Sequence, residues 1–191
     1  SMAAYKVLIA DDNSVDRKVL SRVVRNQGNE VIEVSNGFEA VDAFREHNPE
    51  IVLMDVMMPG LNGKDATRKI KEIANEDFVP IIFLTSLSDA QSLADCLESG
   101  GDDFLTKPVN AGELRARISA GARIVGMERE LTEKNRLLGT TLDKLREVYD
   151  SIDKDLIEAK KLQQSLVSDR HRDFGNAEVS MLLRSSGHVG G

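Results

Sequence analysis

The chain has a single cysteine, Cys96, which leaves no internal disulfide and fits a reducing compartment. It lies in Leu93-Ala94-Asp95-Cys96-Leu97, which reads as the apolar face of a helix, so Cys96 is expected in a core and not as a nucleophile. Histidine is scarce too, and His47, His171 and His188 lack metal-ligand spacing. No run approaches the roughly 18 apolar residues of a membrane span. No signal peptide opens the chain, and Ser1-Met2 is set aside as a cleavage remnant. Basic charge is in deficit: 25 Lys and Arg stand against 32 Asp and Glu, a formal net charge of −7. No Lys/Arg run is interleaved with aromatics, and nothing resembles a helix-turn-helix. These absences predict a cytoplasmic protein with protein and metal partners, no nucleic acid and no membrane.

What is present suits one ordinary domain plus something extra in 191 residues. From residue 6 to about 118, short apolar runs alternate with amphipathic stretches. The runs are Lys6–Ala10, Val31–Val34, Ile51–Met54, Ile81–Leu84 and Phe104–Leu105, and four are nearly continuous in apolar residues. Strands buried on both faces of a parallel sheet read this way. The intervals between them are long enough for crossover helices. Side-chain caps stand where the helices would start: Asn13 or Ser14, Ser35 or Asn36, Asn62, Ser88 and Asn110. Ser88-Asp89-Ala90-Gln91 and Asn110-Ala111-Gly112-Glu113 resemble capping boxes. The expected fold is α/β, a (βα)₅ doubly wound parallel sheet of the flavodoxin/CheY-like type, followed by a long α-helical coiled coil.

The coiled coil is read from spacing. From Leu131 the seam runs Leu131, Asn135, Leu138, Leu142, Leu145, Tyr149, Ile152, Leu156, Ala159, Gln163, Leu166, with steps alternating four and three and charges between. A helix from Asn110 to Leu166 would be roughly 85 Å long. Gly121, Gly126 and Gly139 are its weak points, each costing about 1 kcal/mol against Ala, and are candidates for a bend or joint. Asn135 and Gln163 would fix register and strand number. A loop is expected over Asp169–Asn176, then a strand over Ala177–Leu183.

Ligands of a doubly wound sheet bind beyond the carboxyl ends of its strands. There the sequence places Asp11 and Asp12 after the first strand, Asp55 at the end of the third, Thr85 after the fourth, and Thr106-Lys107-Pro108 after the fifth. Crowded carboxylates raise one another's pKa. A hard dication with oxygen ligands, Mg²⁺ or Mn²⁺, resolves the repulsion and also neutralises an incoming phosphoryl group. A carboxylate can act as nucleophile and form an acyl phosphate. Lys107 offers a compact charge for phosphate oxygens, and Thr85 a hydroxyl donor.

These residues, with Val7-Leu8-Ile9-Ala10-Asp11-Asp12, Leu53-Met54-Asp55-Val56-Met57-Met58-Pro59-Gly60-Leu61-Asn62-Gly63, Leu84-Thr85-Ser86, Gly100-Gly101-Asp102-Asp103-Phe104 and Leu105-Thr106-Lys107-Pro108, resemble the receiver domain of bacterial two-component response regulators. The resemblance covers residues 4–122 and implies roles by position. Asp55 would be the phosphoacceptor. Asp12, Asp55 and the backbone carbonyl of Met57 would ligate the metal, with Asp11 acting largely through water. Thr85 and Phe104 would form the switch pair, and Lys107 would pair with the phosphate. Pro108 would follow a cis peptide. A sensor histidine kinase, a phosphotransfer protein or a small phosphodonor would supply the phosphoryl group, the receiver catalysing only its own phosphorylation and dephosphorylation. Met57 and Leu87, two residues beyond Asp55 and Thr85, cannot orient an attacking water, so a long phosphorylated lifetime is expected. A haloacid-dehalogenase-like enzyme would require Asp-x-Asp after the first strand, where adjacent Asp11-Asp12 stand instead.

Ala159-Lys160-Lys161-Leu162-Gln163-Gln164-Ser165-Leu166 resembles the opening helix of bacterial PPM-type serine/threonine phosphatases of sporulation and stress response. There a strand and then Gly-Gly-Asp follow, and the chain stops after Gly190-Gly191, before such an Asp. The resemblance implies an anti-sigma or anti-anti-sigma partner for the parent and no phosphatase site in this chain. Alternatives are a stand-alone adaptor or a cyclase or kinase output. The expected domains are a receiver over 4–122, a homodimerising coiled coil over 123–167, and over 168–191 the truncated start of an output domain or a disordered tail.

Overall fold

The computed structural model describes residues 4–86 and 90–174, with side chains described as far as Arg170. Five strands alternate with five helices: β1 (Lys6–Ala10), α1 (Ser14–Asn26), β2 (Glu30–Val34), α2 (Gly37–His47), β3 (Ile51–Asp55), α3 (Gly63–Ala74), β4 (Ile81–Thr85), α4 (Ala90–Glu98), β5 (Asp103–Thr106) and α5 (Ala111–Phe174). The strands form one all-parallel sheet in the order β2-β1-β3-β4-β5. The doubly wound α/β expectation is met. The chain winds outward in both directions from β1 and β3, so the topological switch point lies between them, and ligands of such sheets bind at its carboxyl end.

Alternation along each strand builds two cores. Leu8, Ala10, Val52, Met54, Ile81 and Phe83 face Ala40, Phe44, Ala66, Ile70 and Cys96, from α2, α3 and α4. Val7, Ile9, Ile51, Leu53, Ile82 and Leu84 face Leu20 and Val24 of α1 and Leu114, Ile118, Ala122 and Val125 of α5. Cys96 is fully buried, and burial raises its thiol pKa, as expected of a core residue.

Side-chain caps start the helices. Asn13, Asn36 and Asn62 each accept a hydrogen bond from the backbone N–H three residues on, at 2.9 Å. Asn110 Oδ1 does the same for Glu113 at 3.0 Å. At α2 Glu39 also reaches back past the cap, its Oε2 accepting from Ser35 N–H at 3.0 Å. Ser88, the remaining candidate cap, and Leu87 lie outside the described residues.

One expectation for the C-terminal part is corrected. The loop expected from Asp169 is helical as far as Phe174, because no Gly or Pro interrupts residues 140–174 and polar residues alone do not stop a helix. Gly121, Gly126 and Gly139 all lie within the span of α5. The first two lie at ordinary contact distance from neighbouring side chains: a Cβ on Gly121 would stand 3.5 Å from Pro80, and one on Gly126 3.4 Å from the Tyr5 hydroxyl. The strand expected over Ala177–Leu183 lies outside the described residues.

The structure divides into two units, residues 1–131 and 132–191. Within the first, α5 is secured beyond its core face. Gln27 Nε2 donates to the Arg115 carbonyl at 3.1 Å, Arg117 pairs with Asp103 at 3.2 Å, and Arg129 pairs with Glu50 beside the Tyr5 ring. Within the second, residues 132–174 are helical and no described side chain is buried. Among the described residues no helix is long and apolar enough to cross a membrane.

Candidate functional site

Asp11 follows β1 as a continuation of the sheet, its N–H donating to the Val34 carbonyl at 3.2 Å. Its Oδ1 accepts from Asn13 N–H at 2.9 Å, and its carbonyl accepts from the Arg17 guanidinium at 2.7 Å. The residue is fully buried, whereas Asp12 faces solvent. Asp55 ends β3 and is 4% exposed, which makes its ionisation costly. Its Oδ1 accepts from Met57 N–H at 3.2 Å. Behind it the chain doubles back, Gly63 N–H donating to the Val56 carbonyl at 3.0 Å. Only glycine fits there, because a Cβ on Gly63 would stand 2.0 Å from the Asp55 carbonyl oxygen.

At the next strand ends, Thr85 is buried, and its carbonyl accepts from Lys107 N–H at 2.8 Å. The Lys107-Pro108 bond is cis, as expected. Phe104 is half-buried against the α2–α4 core. Met57 is 68% exposed, so its side chain stands clear of the buried carboxylates.

Three carboxylates converge. One oxygen from each of Asp11, Asp12 and Asp55 lies within 4.8 Å of the others. Lys107 Nζ reaches Asp55 Oδ2 and Asp11 Oδ2, each at 3.1 Å. Asp16, which the sequence reading missed, brings a fourth carboxylate 3.8 Å from the same ammonium. It lies on the first turn of α1, one helical turn beyond Asp12, and that spacing was its only signal.

Burial pushes the Asp55 carboxyl up to about 7 against an ordinary 3.8. Lys107 opposes the rise by hydrogen bond and charge, and Asp11 and Asp12 add to it. Burial works against the Lys107 ammonium as well, but Asp11 and Asp55 outweigh it and hold its pKa above the ordinary lysine value. The set fits a hard dication. Asp11 Oδ2 is buried with Lys107 Nζ 3.1 Å away, and three mutually repelling carboxylates with few donors are the usual setting for Mg²⁺.

The family model described as "Response regulator receiver domain" matches residues 7–119. The chain belongs to the response regulator receiver family.

Among curated relatives, this receiver is 36% identical over 118 residues to the DNA-binding response regulator MtrA of Mycobacterium leprae, covering 62% of this chain and 51% of that one. It thus spans about half the length of the curated relatives it matches. Among solved structures, a response regulator of Chloroflexus aurantiacus superposes with a TM-score of 0.60 at 27% identity, over 63% of this chain and 99% of that one. The receiver domain of the sensor histidine kinase PA1611 of Pseudomonas aeruginosa, described with magnesium coordinated in its active-site cleft, gives 0.58 at 32% identity, over 63% and 98%. Receiver domains take phosphoryl groups from sensor histidine kinases, bind Mg²⁺ at an acidic pocket, and are not in themselves catalytic enzymes.

Proposed function

We propose that Asp55 is the phosphoacceptor of this receiver. The observation that carries it is the convergence of Asp11, Asp12 and Asp55 within 4.8 Å, with Lys107 Nζ 3.1 Å from Asp55 Oδ2. An Asp55 carboxylate oxygen attacks the phosphorus of a phosphohistidine or acetyl phosphate, the bond to the donor breaks, and an acyl phosphate forms on Asp55. Lys107 moves its charge from the carboxylates to the new phosphate oxygens, and the Thr85 hydroxyl donates to one of them. Phe104 packs into the space behind Thr85, and Pro108 fixes the backbone beyond Lys107. Asp12, Asp55 and the Met57 carbonyl would hold Mg²⁺ or Mn²⁺, with Asp11 acting largely through water. When bound, the ion neutralises charge on the transferring group. Met57 offers no group to orient water, and Leu87 lies outside the described residues.

We also assign residues 123–167 to a homodimerising coiled coil and 168–191 to the beginning of an output domain. Residues 159–166 are helical, as a phosphatase opening helix requires, and a PPM-type phosphatase acting on an anti-sigma or anti-anti-sigma partner is the output this motif favours. A DNA-binding output, carried in the names of the MtrA relatives, is the second reading; the matched 118 residues leave it open, because they cover only about half of those proteins.

The test is intact mass after incubation with Mg²⁺ and acetyl phosphate. One added phosphoryl group, lost in Asp55→Asn, is the expected result. Uptake that survives Asp55→Asn overturns the assignment.

A further inference from the structure

Among the described residues, the second unit presents an exposed apolar stripe. Leu138 is 58% exposed and Tyr149 61%, and Leu142, Leu145, Ile152, Leu156 and Leu166 are also exposed. An isolated helix gains nothing from such a stripe, which acquires value only against a second helix. The stripe repeats in heptads. Asn135, Leu142, Tyr149, Leu156 and Gln163 occupy the a positions, and Leu138, Leu145, Ile152, Ala159 and Leu166 the d positions.

We infer that a second copy of this chain covers the stripe in one arrangement only, parallel and in register. This rests on the homodimer reading above and specifies its geometry. Two observations carry it. First, polar residues interrupt the seam at Asn135 and Gln163, both a positions. In a parallel, in-register pair each amide meets its own copy across the axis, and donor and acceptor satisfy each other. A shift of one heptad sets Asn135 against Leu142. In an antiparallel pair, a positions meet d positions, and the best overlap sets Asn135 against Ala159. In both cases a buried amide loses its partner.

Second, the flanking charges discriminate. Asp155 at g lies against Lys160 at the following e of the second copy when the helices are parallel, an attractive pair. At the same flank, Val148 and Leu162 at g widen the apolar strip. The antiparallel overlap brings Arg146 beside Arg146 of the second copy at the two-fold axis, a like-charge contact. A parallel pair therefore puts both receivers at one end of the coil and both C-terminal segments at the other, which lets a change common to two receivers reach two outputs together.

The test uses the full 191-residue chain. Sedimentation establishes whether it is a dimer, and disulfide trapping establishes its direction. Leu138→Cys alone is expected to cross-link to itself on mild oxidation, about tenfold above the unsubstituted chain, whose Cys96 is buried. Mixing Leu138→Cys with Leu156→Cys is expected to add no mixed product. The reverse pattern, mixed product without self-linking, overturns the inference in favour of antiparallel pairing and leaves homodimerisation standing. A monomer by sedimentation overturns both the geometry and the homodimer, and phosphoryl uptake on the same sample shows separately whether the receiver reading survives.

Discussion

The two units of this chain use leucine in opposite ways. In residues 4–131 the large apolar side chains of β1, β3 and β4 are at or below 2% exposure, divided between two cores that the sheet separates. In residues 132–170 leucines of the same size stand about half exposed. The number of apolar residues does not set their fate; their period does. A period of two within strands, joined by crossover helices, lets the first unit bury its surface against itself. A period of 3.5 on one uninterrupted helix gives a single stripe with nothing in the same segment to bury it. The first unit is folded by its own contacts, and the second leaves its apolar stripe exposed.

The sharpest break in that comparison is Asp55→Asn. Phosphoryl uptake on the first unit is expected to fall to nothing, while sedimentation of the metal-bound, unphosphorylated chain stays as in the parent. Retention of uptake in mass spectrometry would move the acceptor elsewhere.

Next in size is a charge in the seam. Leu145→Asp is expected to weaken self-association at least 100-fold by sedimentation, since two carboxylates would meet in one layer. The thermal unfolding of the receiver, followed by near-ultraviolet absorption of Tyr5 in a Tyr149→Phe background, is expected to stay put. A large drop in receiver stability would mean that the units are not independent.

A truncation on α5 inside the first unit should do the reverse. Ile118→Ala removes a fully buried side chain from the core shared with α1, and a loss of about 2–4 kcal/mol is expected in urea unfolding. Ile152→Ala, the same substitution at an exposed position, should leave receiver stability within about 0.5 kcal/mol. Equal costs at the two sites would erase the contrast.

The pH dependence is subtler. The folded Asp55 pKa is raised from 3.8 to about 7, so the folded state binds this proton more tightly than the unfolded one. The stability that the protonated group retains is therefore lost as pH rises between about 4 and 7, with no further change from this group above that window. Metal-free protein is expected to lose stability across this window, and Asp55→Asn to lose less. Mg²⁺ should raise the melting temperature more at pH 7.5 than at pH 5. A metal effect independent of pH would count against the carboxylate cluster as its site.

The smallest expected effect concerns lifetime. Met57→Asn places an amide where an exposed thioether stands, and a several-fold faster loss of phosphate from Asp55 is expected by time-resolved intact mass. No change would remove Met57 from the account of acyl-phosphate stability.

Legibility followed the same division. β1, β3 and β4 were plain because strands buried on both faces leave near-continuous apolar runs. β5 gave only Phe104-Leu105 because its four residues are partly solvent-facing at the sheet edge. Asp11, Asp12, Asp55 and Lys107 were legible as candidates because a doubly wound sheet brings its strand ends to one edge. Asp16 was not, since an acidic residue in the first turn of a helix is ordinarily explained by the helix dipole. The turn at Asp169 was misread because charged residues suit loops and helix surfaces equally well.

By itself, then, the sequence determined the order of the elements, the strand faces, the caps and the heptad spacing, all of which are local patterns of apolar and polar residues. Tertiary structure alone decided which carboxylates come together and how deeply, since the 3.1 Å reach of Lys107 to both Asp11 and Asp55 depends on the adjacency of strands far apart in the chain. The raised Asp55 pKa is likewise a property of that burial and those neighbours, because a carboxylate's ionisation answers to its solvent and the charges around it and not to its place in the chain.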